Sequence, residues 1–225
     1  MSTPARILSL LTLAALLSAP RVTAQEKPSG SDAFKWYIGP HAGALFFETQ
    51  NQTRGTMIVV GGHVLITARR TGLLLSVEEG IKRNQISSVA DATGPAGRRT
   101  VTFNDLRRYS AVILAFPIRH NPQPFLGLGF GIMQTAKEYP DQTGLLTPTD
   151  VAAASSAARS AGSYGFGSLA GGIQWQSSRF GLFAQYQITT APNATKLLVG
   201  PTHAFTGGLR LSLGGSREGI TGGSY

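Results

Sequence analysis

Apolar residues alternate with small or polar ones through most of the chain. In 125–134, Leu126, Leu128, Phe130 and Ile132 fall on one face, while Gly127, Gly129 and Gly131 fall on the other. Period two is a strand signature, because successive side chains of a strand point to opposite faces. In 204–213, Phe205, Leu209, Leu211 and Leu213 stand against Thr206, Gly208, Arg210 and Ser212. Segment 166–176 sets Leu169, Ile173 and Trp175 against Ser168, Ala170, Gly172 and Gln174. Segment 180–188 sets Phe180, Leu182, Ala184, Tyr186 and Ile188 against Gly181, Gln185 and Gln187. In 73–80, Leu73, Leu75 and Val77 oppose Ser76, Glu78 and Gly80; in 109–118 the bulkier face is Val112, Leu114, Phe116 and Ile118. Segments 35–47 and 56–68 alternate less cleanly. Eight segments of about ten residues match the span of a tilted membrane-crossing strand.

The connections alternate too. Short turns at Arg69–Gly72, His120–Pro124 and Ser177–Arg179 interleave with longer polar stretches at 48–55, 82–99, 137–162 and 190–200. Tight turns at one end and long loops at the other characterise up-and-down outer-membrane barrels. The expected fold is therefore all-β, an eight-stranded antiparallel up-and-down transmembrane β-barrel over residues 35–213.

The orientation of the faces follows from space and solvent. Eight strands enclose only enough room for side chains, so the Gly, Ala, Ser, Thr and Gln face suits the interior. The bulky face then meets hydrocarbon, with every backbone polar group satisfied by ring closure. Trp36, Tyr37, Phe46, Phe47, Tyr109, Phe125, Tyr164, Trp175 and Phe180 lie near strand ends, where interfacial aromatic girdles are expected.

Composition supports this orientation. Charged residues are 14% of the 225, against about 25% in soluble domains, and 28 residues are glycine. Half of each strand facing lipid explains the first number, and a narrow interior explains the second. The 42% hydrophobic content argues against a disordered chain, and the absence of cysteine excludes a disulfide framework or thiolate metal site.

The N-terminus reads as a secretory signal peptide over residues 1–24. Arg6 precedes the apolar run Ile7–Leu17, and Ser18 to Ala24 ends in small residues, which places cleavage between Ala24 and Gln25. Eleven residues span about 16 Å as a helix, too little for a hydrocarbon core of about 30 Å. Residues 25–34 form a short periplasmic lead and 214–225 a Gly/Ser-rich tail. Loss of Arg6 and Arg21 lowers the formal net charge from +9 to +7.

The stretch Tyr109–Arg119, then Asn121-Pro-Gln-Pro124 and Phe125-Leu-Gly-Leu-Gly-Phe-Gly131, resembles the bacterial outer-membrane β-barrel families with OmpA-type transmembrane barrels. Thr206-Gly-Gly-Leu-Arg-Leu-Ser-Leu213 is similar to the last-strand signal read by barrel assembly machinery, although here Gly214–Tyr225 follows the strand. The resemblance implies a fold, a bacterial outer-membrane location and the assembly machinery as a partner. It implies far less about activity.

Candidate chemistry is sparse. His41, His63, His120 and His203 are scattered, without a serine two residues on or a His-x₃-His pair, and only 11 acids are present. No catalytic activity, metal or cofactor is expected. Gly127, Gly129 and Gly131 precede no helix start, so they do not read as a phosphate-binding loop. Glu78 and Arg210 both fall on small faces near the periplasmic end, and an unpaired charge in a narrow lumen is costly; pairing with each other is one expectation, separate solvation by lumen water the other. Lys82, Arg83, Arg98, Arg99, Arg107 and Arg108 outnumber Asp91 and Asp105 in 82–108, a net of +4. As an external loop this stretch would face lipopolysaccharide phosphates, which arginine binds well. Nucleic acid, the common partner of so basic a chain, does not fit a secreted barrel. Thr147-Pro-Thr-Asp150 ahead of an alanine run predicts a short external helix, expected to be a mobile surface element, with contact to a partner the alternative. The functional expectation is a monomeric structural or surface-interaction barrel contacting outer-membrane lipid and lipopolysaccharide. A narrow channel or small-solute transporter is the first alternative and a secreted lipocalin-like barrel the second.

Overall fold

Among the described residues nine strands make eight staves. The computed structural model describes residues 34–51, 54–92, 94–118, 120–145, 147–177 and 179–216. In chain order the elements are β1 (Phe34–Thr49), β2 (Arg54–Ala68), β3 (Thr71–Ile81), β4 (Gln85–Ala90), β5 (Arg98–Ala115), β6 (Gln123–Pro140), α1 (Pro148–Gly162), β7 (Ser163–Gln176), β8 (Phe180–Thr189) and β9 (Leu198–Ser216). Each strand pairs antiparallel with its neighbour, β1 pairs with β9, and β3 pairs with β5 to close the ring. β4 continues the stave of β3, since both lie along β5. Closure leaves the main staves no free edge, as a membrane barrel requires. The signal peptide of 1–24, its Ala24–Gln25 bond, nearly all of the 25–34 lead and the tail beyond Ser216 lie outside the described residues.

The break between β3 and β4 is a bulge in which four residues, 81–84, stand opposite 104–105. Asp105 adopts φ 48° and Asn84 φ 56°, a region that short polar side chains tolerate. The Lys82 amide donates to Asp105 Oδ1 (3.1 Å), and the Asn84 amide donates to Asn104 Oδ1 (2.7 Å). Within the 82–99 and 137–162 stretches, 85–90, 98–99 and 137–140 are thus strand rather than loop. β5 and β6 each run 18 residues, well past the roughly 9–11 a membrane crossing needs, so their outer ends project above the bilayer.

A band of exposed aliphatic and aromatic side chains encircles the outer wall. Phe130 is 70% exposed and Ile113 67%, with Ile58, Leu126, Leu128, Leu169, Leu182, Phe205 and Leu209 also exposed. In water so continuous an apolar belt would be a severe liability; against hydrocarbon it is the solvent match. Trp36 and Phe46 are both exposed, ten residues apart on β1, which corresponds to about 25 Å along the axis of a tilted strand. Trp36, Trp175 and Phe180 form the part of the girdle at the short-turn end, while Tyr37, Phe47, Phe125 and Tyr164 turn inward and are buried.

The faces of β5 are the reverse of the expectation. Val112, Leu114 and Phe116 point into the barrel, with Val112 at 0% exposure, and Ile113 faces out. Both faces of this strand are apolar, so alternation alone carries no sign; the register with β3, which puts Arg108 opposite Glu78, supplies it.

α1 is packed rather than mobile. Thr147 caps it in a reciprocal box: the Asp150 amide donates to Thr147 Oγ1 (3.2 Å) and the Thr147 amide to Asp150 Oδ2 (3.0 Å), with Pro148 starting the first turn. Ala154, Ala158 and Ala161 bury one stripe. At the other end, the Leu197 amide and Lys196 Nζ donate to the carbonyls of Ala161 (3.0 Å) and Ser160 (2.7 Å). The helix therefore lies against the outer end of the barrel, tied to the β8–β9 connection. Thr147→Ala should cost about 1 kcal/mol, read as faster amide hydrogen exchange in the first turn of α1 with the barrel strands unchanged.

Candidate functional site

The interior divides into three parts. At the outer end Leu45, Phe47, Met57, Phe103, Met133 and Phe166 form an apolar cluster that includes Ala158 and Ala161 of α1. At the short-turn end Tyr37, Leu65, Leu74, Leu114, Phe116 and Phe125 form a second cluster. Between and beside them runs a polar network drawn from seven strands, too distant in sequence to have been recognised as a unit.

Its centre is Glu78, 5% exposed. Arg108 stands directly opposite it on β5; Arg108 Nε donates to Glu78 Oε2 (2.5 Å), and Arg108 Nη2 contacts the same oxygen. His41 Nε2 lies 2.9 Å from Glu78 Oε1, His41 Nδ1 lies 3.2 Å from His63 Nδ1, and His63 Nε2 lies 3.3 Å from Arg210 Nε. Arg210 Nη1 reaches Gln174 Oε1, and Gln174 Nε2 donates to Gln123 Oε1 (2.9 Å). The donor at one end and the acceptor at the other fix the imidazole tautomers. Arg210 can only donate, so His63 Nε2 accepts and its proton sits on Nδ1. His41 Nδ1 then accepts, leaving its proton on Nε2 to meet the carboxylate. Both rings are neutral in this arrangement, and the hydrogen bonds run in one direction from Arg210 to Glu78.

Glu78 and Arg210 are thus members of one network but not partners. Arg108 is the counter-ion of Glu78, and the two histidines stand between Glu78 and Arg210. The sequence does not show this pairing, because the alternation of 109–118 begins at Tyr109 and leaves Arg108 in the polar stretch before it. Arg210, 1% exposed, has no carboxylate partner among the described residues. Its guanidinium instead lies 4.2 Å above the Phe183 ring centre and 5.8 Å from that of Phe125, a face-on contact that favours a desolvated cation.

The six cations of 82–108 do not form one exposed patch. β5 begins at Arg98, and the irregularity at Asp105 shifts its parity, so Arg99 and Arg108 both face inward. Arg99 is buried against Asp91 and donates through Nη1 to the carbonyls of Asp141 (2.6 Å) and Thr143 (3.1 Å), fastening the β6–α1 connection. The amide and hydroxyl of Thr143 donate to Asp141 Oδ1 (3.1 and 2.8 Å) and hold its carboxyl below the usual carboxylate range. Lys82, Arg83, Arg98 and Arg107 remain at the surface: Lys82 Nζ donates to the Thr56 carbonyl (2.8 Å), Arg98 to Ser88 Oγ (2.8 Å), and Arg107 faces Glu79 (3.5 Å).

His203 hydrogen-bonds Tyr186 (2.6 Å) and stacks on its ring, while His120 is exposed in the β5–β6 turn. No group of three or more His, Cys, Asp or Glu suited to a metal occurs among the described residues. A groove of about 580 Å³ lies on the outer wall rather than in the lumen, between Ile38, Val64, Leu75, Val77, Phe130 and Ile132.

A closed eight-stranded antiparallel barrel, apolar outside and filled within, defines the class of small outer-membrane β-barrels. Neisserial surface protein A has this fold: it superposes with a TM-score of 0.54 at 10% identity, covering 83% of this chain and 99% of its own. Two further similar structures are the attachment invasion locus protein Ail of Yersinia pestis, solved with the heparin analogue sucrose octasulfate, and the outer membrane protein OprG of Pseudomonas aeruginosa. Ail gives a TM-score of 0.42 at 10% identity, covering 80% of this chain and 97% of its own; OprG gives 0.37 at 9%, covering 83% and 95%. No protein-family model and no curated protein sequence matches the chain.

Proposed function

We propose that the chain is an integral protein of a bacterial outer membrane, an OmpA-type small barrel with a structural or surface-interaction role and neither catalytic nor transport activity. The observation that carries this reading is the sealed interior. Two apolar clusters and a polar network whose members bond to one another fill the lumen. An ion crossing it would have to pass both clusters and displace buried hydrogen bonds. Among the described residues the constellation with acid–base potential, Glu78–His41–His63, is buried in the lumen, which supports a non-catalytic role.

The outer surface is where such a barrel would act. Lys82, Arg83, Arg98 and Arg107 stand at or above the upper edge of the lipid belt, placed to meet lipopolysaccharide phosphates. Reconstituted in a planar bilayer, the protein should give no conductance steps, and liposomes containing it should not swell in small sugars. Steps of defined size from the folded form would establish the channel alternative. Migration on a gel that changes on boiling, from purified outer membrane, would exclude the secreted lipocalin-like reading.

A further inference from the structure

The groove on the outer wall has an ordered build. Inter-strand register aligns its side chains in two lipid-facing rows. One is Ile38–Val64–Leu75–Ala111–Phe130; the other, one step nearer the α1 end, is Gly62–Val77–Tyr109–Ile132. Gly62 and Ala111 are the low points of these rows, so the rows enclose the groove of about 580 Å³. The next row toward α1 is different in kind. It aligns Glu79, Arg107 and Gln134, with Arg107 Nε 3.5 Å from Glu79 Oε1 and both side chains about half exposed. Glu79 and Arg107 share the outward face with Val77 and Tyr109. Charges on the lipid-facing side of a barrel are costly unless polar groups meet them. An apolar groove that ends in a charged row has the outline of an amphiphile.

We infer that this groove binds an acyl chain of lipid A, the membrane anchor of lipopolysaccharide, with a lipid A phosphate held by Arg107. The acyl chain descends from Arg107 past Tyr109 and Ala111 toward the short-turn end. Glu79 meets Arg107 through Nε, which leaves the Nη1 and Nη2 fork to a phosphate, the geometry a guanidinium binds bidentately. Gln134, exposed beside Arg107, adds an amide donor. The Glu79 carboxylate opposes the phosphate and moderates its affinity. Charge also decides the occupant. A second barrel seated on the groove would press its own apolar belt over Glu79 and Arg107 and desolvate both, whereas a phosphorylated lipid brings an anion to the guanidinium. The inference deepens the lipopolysaccharide contact proposed above and rests on that reading, which puts the α1 end in the outer leaflet.

Native mass spectrometry of the full mature protein, folded in a mild detergent and titrated with purified lipid A, reads the site. The protein should retain lipid A saturably and more tightly than phosphatidylglycerol. Filling the groove with Gly62→Leu or Ala111→Leu should weaken retention severalfold. A Cβ on Gly62 meets its nearest neighbour, the Gly39 carbonyl oxygen, at 3.9 Å, so the barrel accommodates a side chain there. Gel migration before boiling checks the folding of each variant. Arg107→Gln should weaken retention about fivefold, the contribution of one cation at an anionic surface, and Glu79→Gln should strengthen it. Ala184→Leu, exposed on β8 at the far side of the ring, should leave it unchanged. Wild-type retention in Gly62→Leu, Ala111→Leu and Arg107→Gln overturns the inference, as does an equal loss in Ala184→Leu. Equal retention of phosphatidylglycerol overturns the assignment to lipid A. A dimer that the groove-filling variants convert to monomer overturns it in favour of a second copy.

Orientation is read separately, since the chain has no cysteine. On intact cells a bulky polymer-linked maleimide should label Thr143→Cys and spare His120→Cys. The opposite pattern refutes the reading on which the site rests, whatever the retention shows. The expected pattern together with retention that no groove variant alters refutes the site alone.

Discussion

Replacing Glu78 by alanine is expected to destabilise the barrel by about 3–5 kcal/mol, the usual cost of leaving a buried charge without its partner. The abandoned charge is Arg108, whose Nε lies 2.5 Å from the carboxylate and which is itself buried. Loss of the carboxylate also removes the acceptor for His41 Nε2, so the chain of hydrogen bonds ending at Arg210 loses its terminus. Urea unfolding in lipid vesicles, followed by tryptophan emission, measures the effect. A double-mutant cycle identifies the partner. The coupling of Glu78 with Arg108 should be several times that with Arg210, because two neutral imidazoles separate the second pair. Glu78→Leu combined with Arg108→Met should recover most of the loss, since an apolar pair of similar volume leaves neither charge stranded. Equal coupling to both arginines would show that Glu78 is not held by its cross-strand neighbour.

The second large effect is expected at the seam between β1 and β9. A Cβ placed on Gly43 would overlap the Phe205 carbonyl oxygen and lie 2.8 Å from Thr206 Cα; one placed on Gly39 would overlap the Leu209 carbonyl. These are backbone atoms of the strand that closes the ring, so no side-chain rotation relieves the contact. Gly43→Val should therefore keep the first and last strands from pairing, with near-complete loss of the fast-migrating folded band before boiling. Gly165→Ala is the control. There the added carbon meets its nearest neighbour, the Gly131 carbonyl, at 3.8 Å, and folding should be unchanged. Normal folding of Gly43→Val would mean that the seam tolerates a wider spacing than the β1–β9 register implies.

These two sites differ in how far the sequence reveals them. Glycine abundance was readable, and a narrow barrel interior explained it by side-chain volume. At Gly43 the constraint comes from contact with a strand about 160 residues away, which composition cannot express. Glu78 was recognisable as an inward charge, because Leu73, Leu75 and Val77 mark the opposite face of β3 without ambiguity. Its partner was not. Arg108 lies just outside the alternating segment 109–118, and placing it opposite Glu78 requires knowing which strands are adjacent and in what register. The histidines show the same limit: 22 residues separate His41 from His63, no local motif links them, and only the β1–β2 pairing and ring closure bring them onto one hydrogen-bond path.

The sequence by itself determined the eight-stave barrel and the lipid-facing side of β3, β6, β7, β8 and β9, because a membrane imposes a period of two and removes charge from one face of every strand. It could not orient β5, where both faces are apolar, nor recognise that the outer ends of β5 and β6 continue as strands through polar residues. The tertiary structure decided those points, together with the sealed lumen and the Glu78–Arg108 pair. The physical reason is that a strand's periodicity fixes which residues share a face, whereas burial, pairing and counter-ions depend on register between strands, and register exists only once the ring has closed.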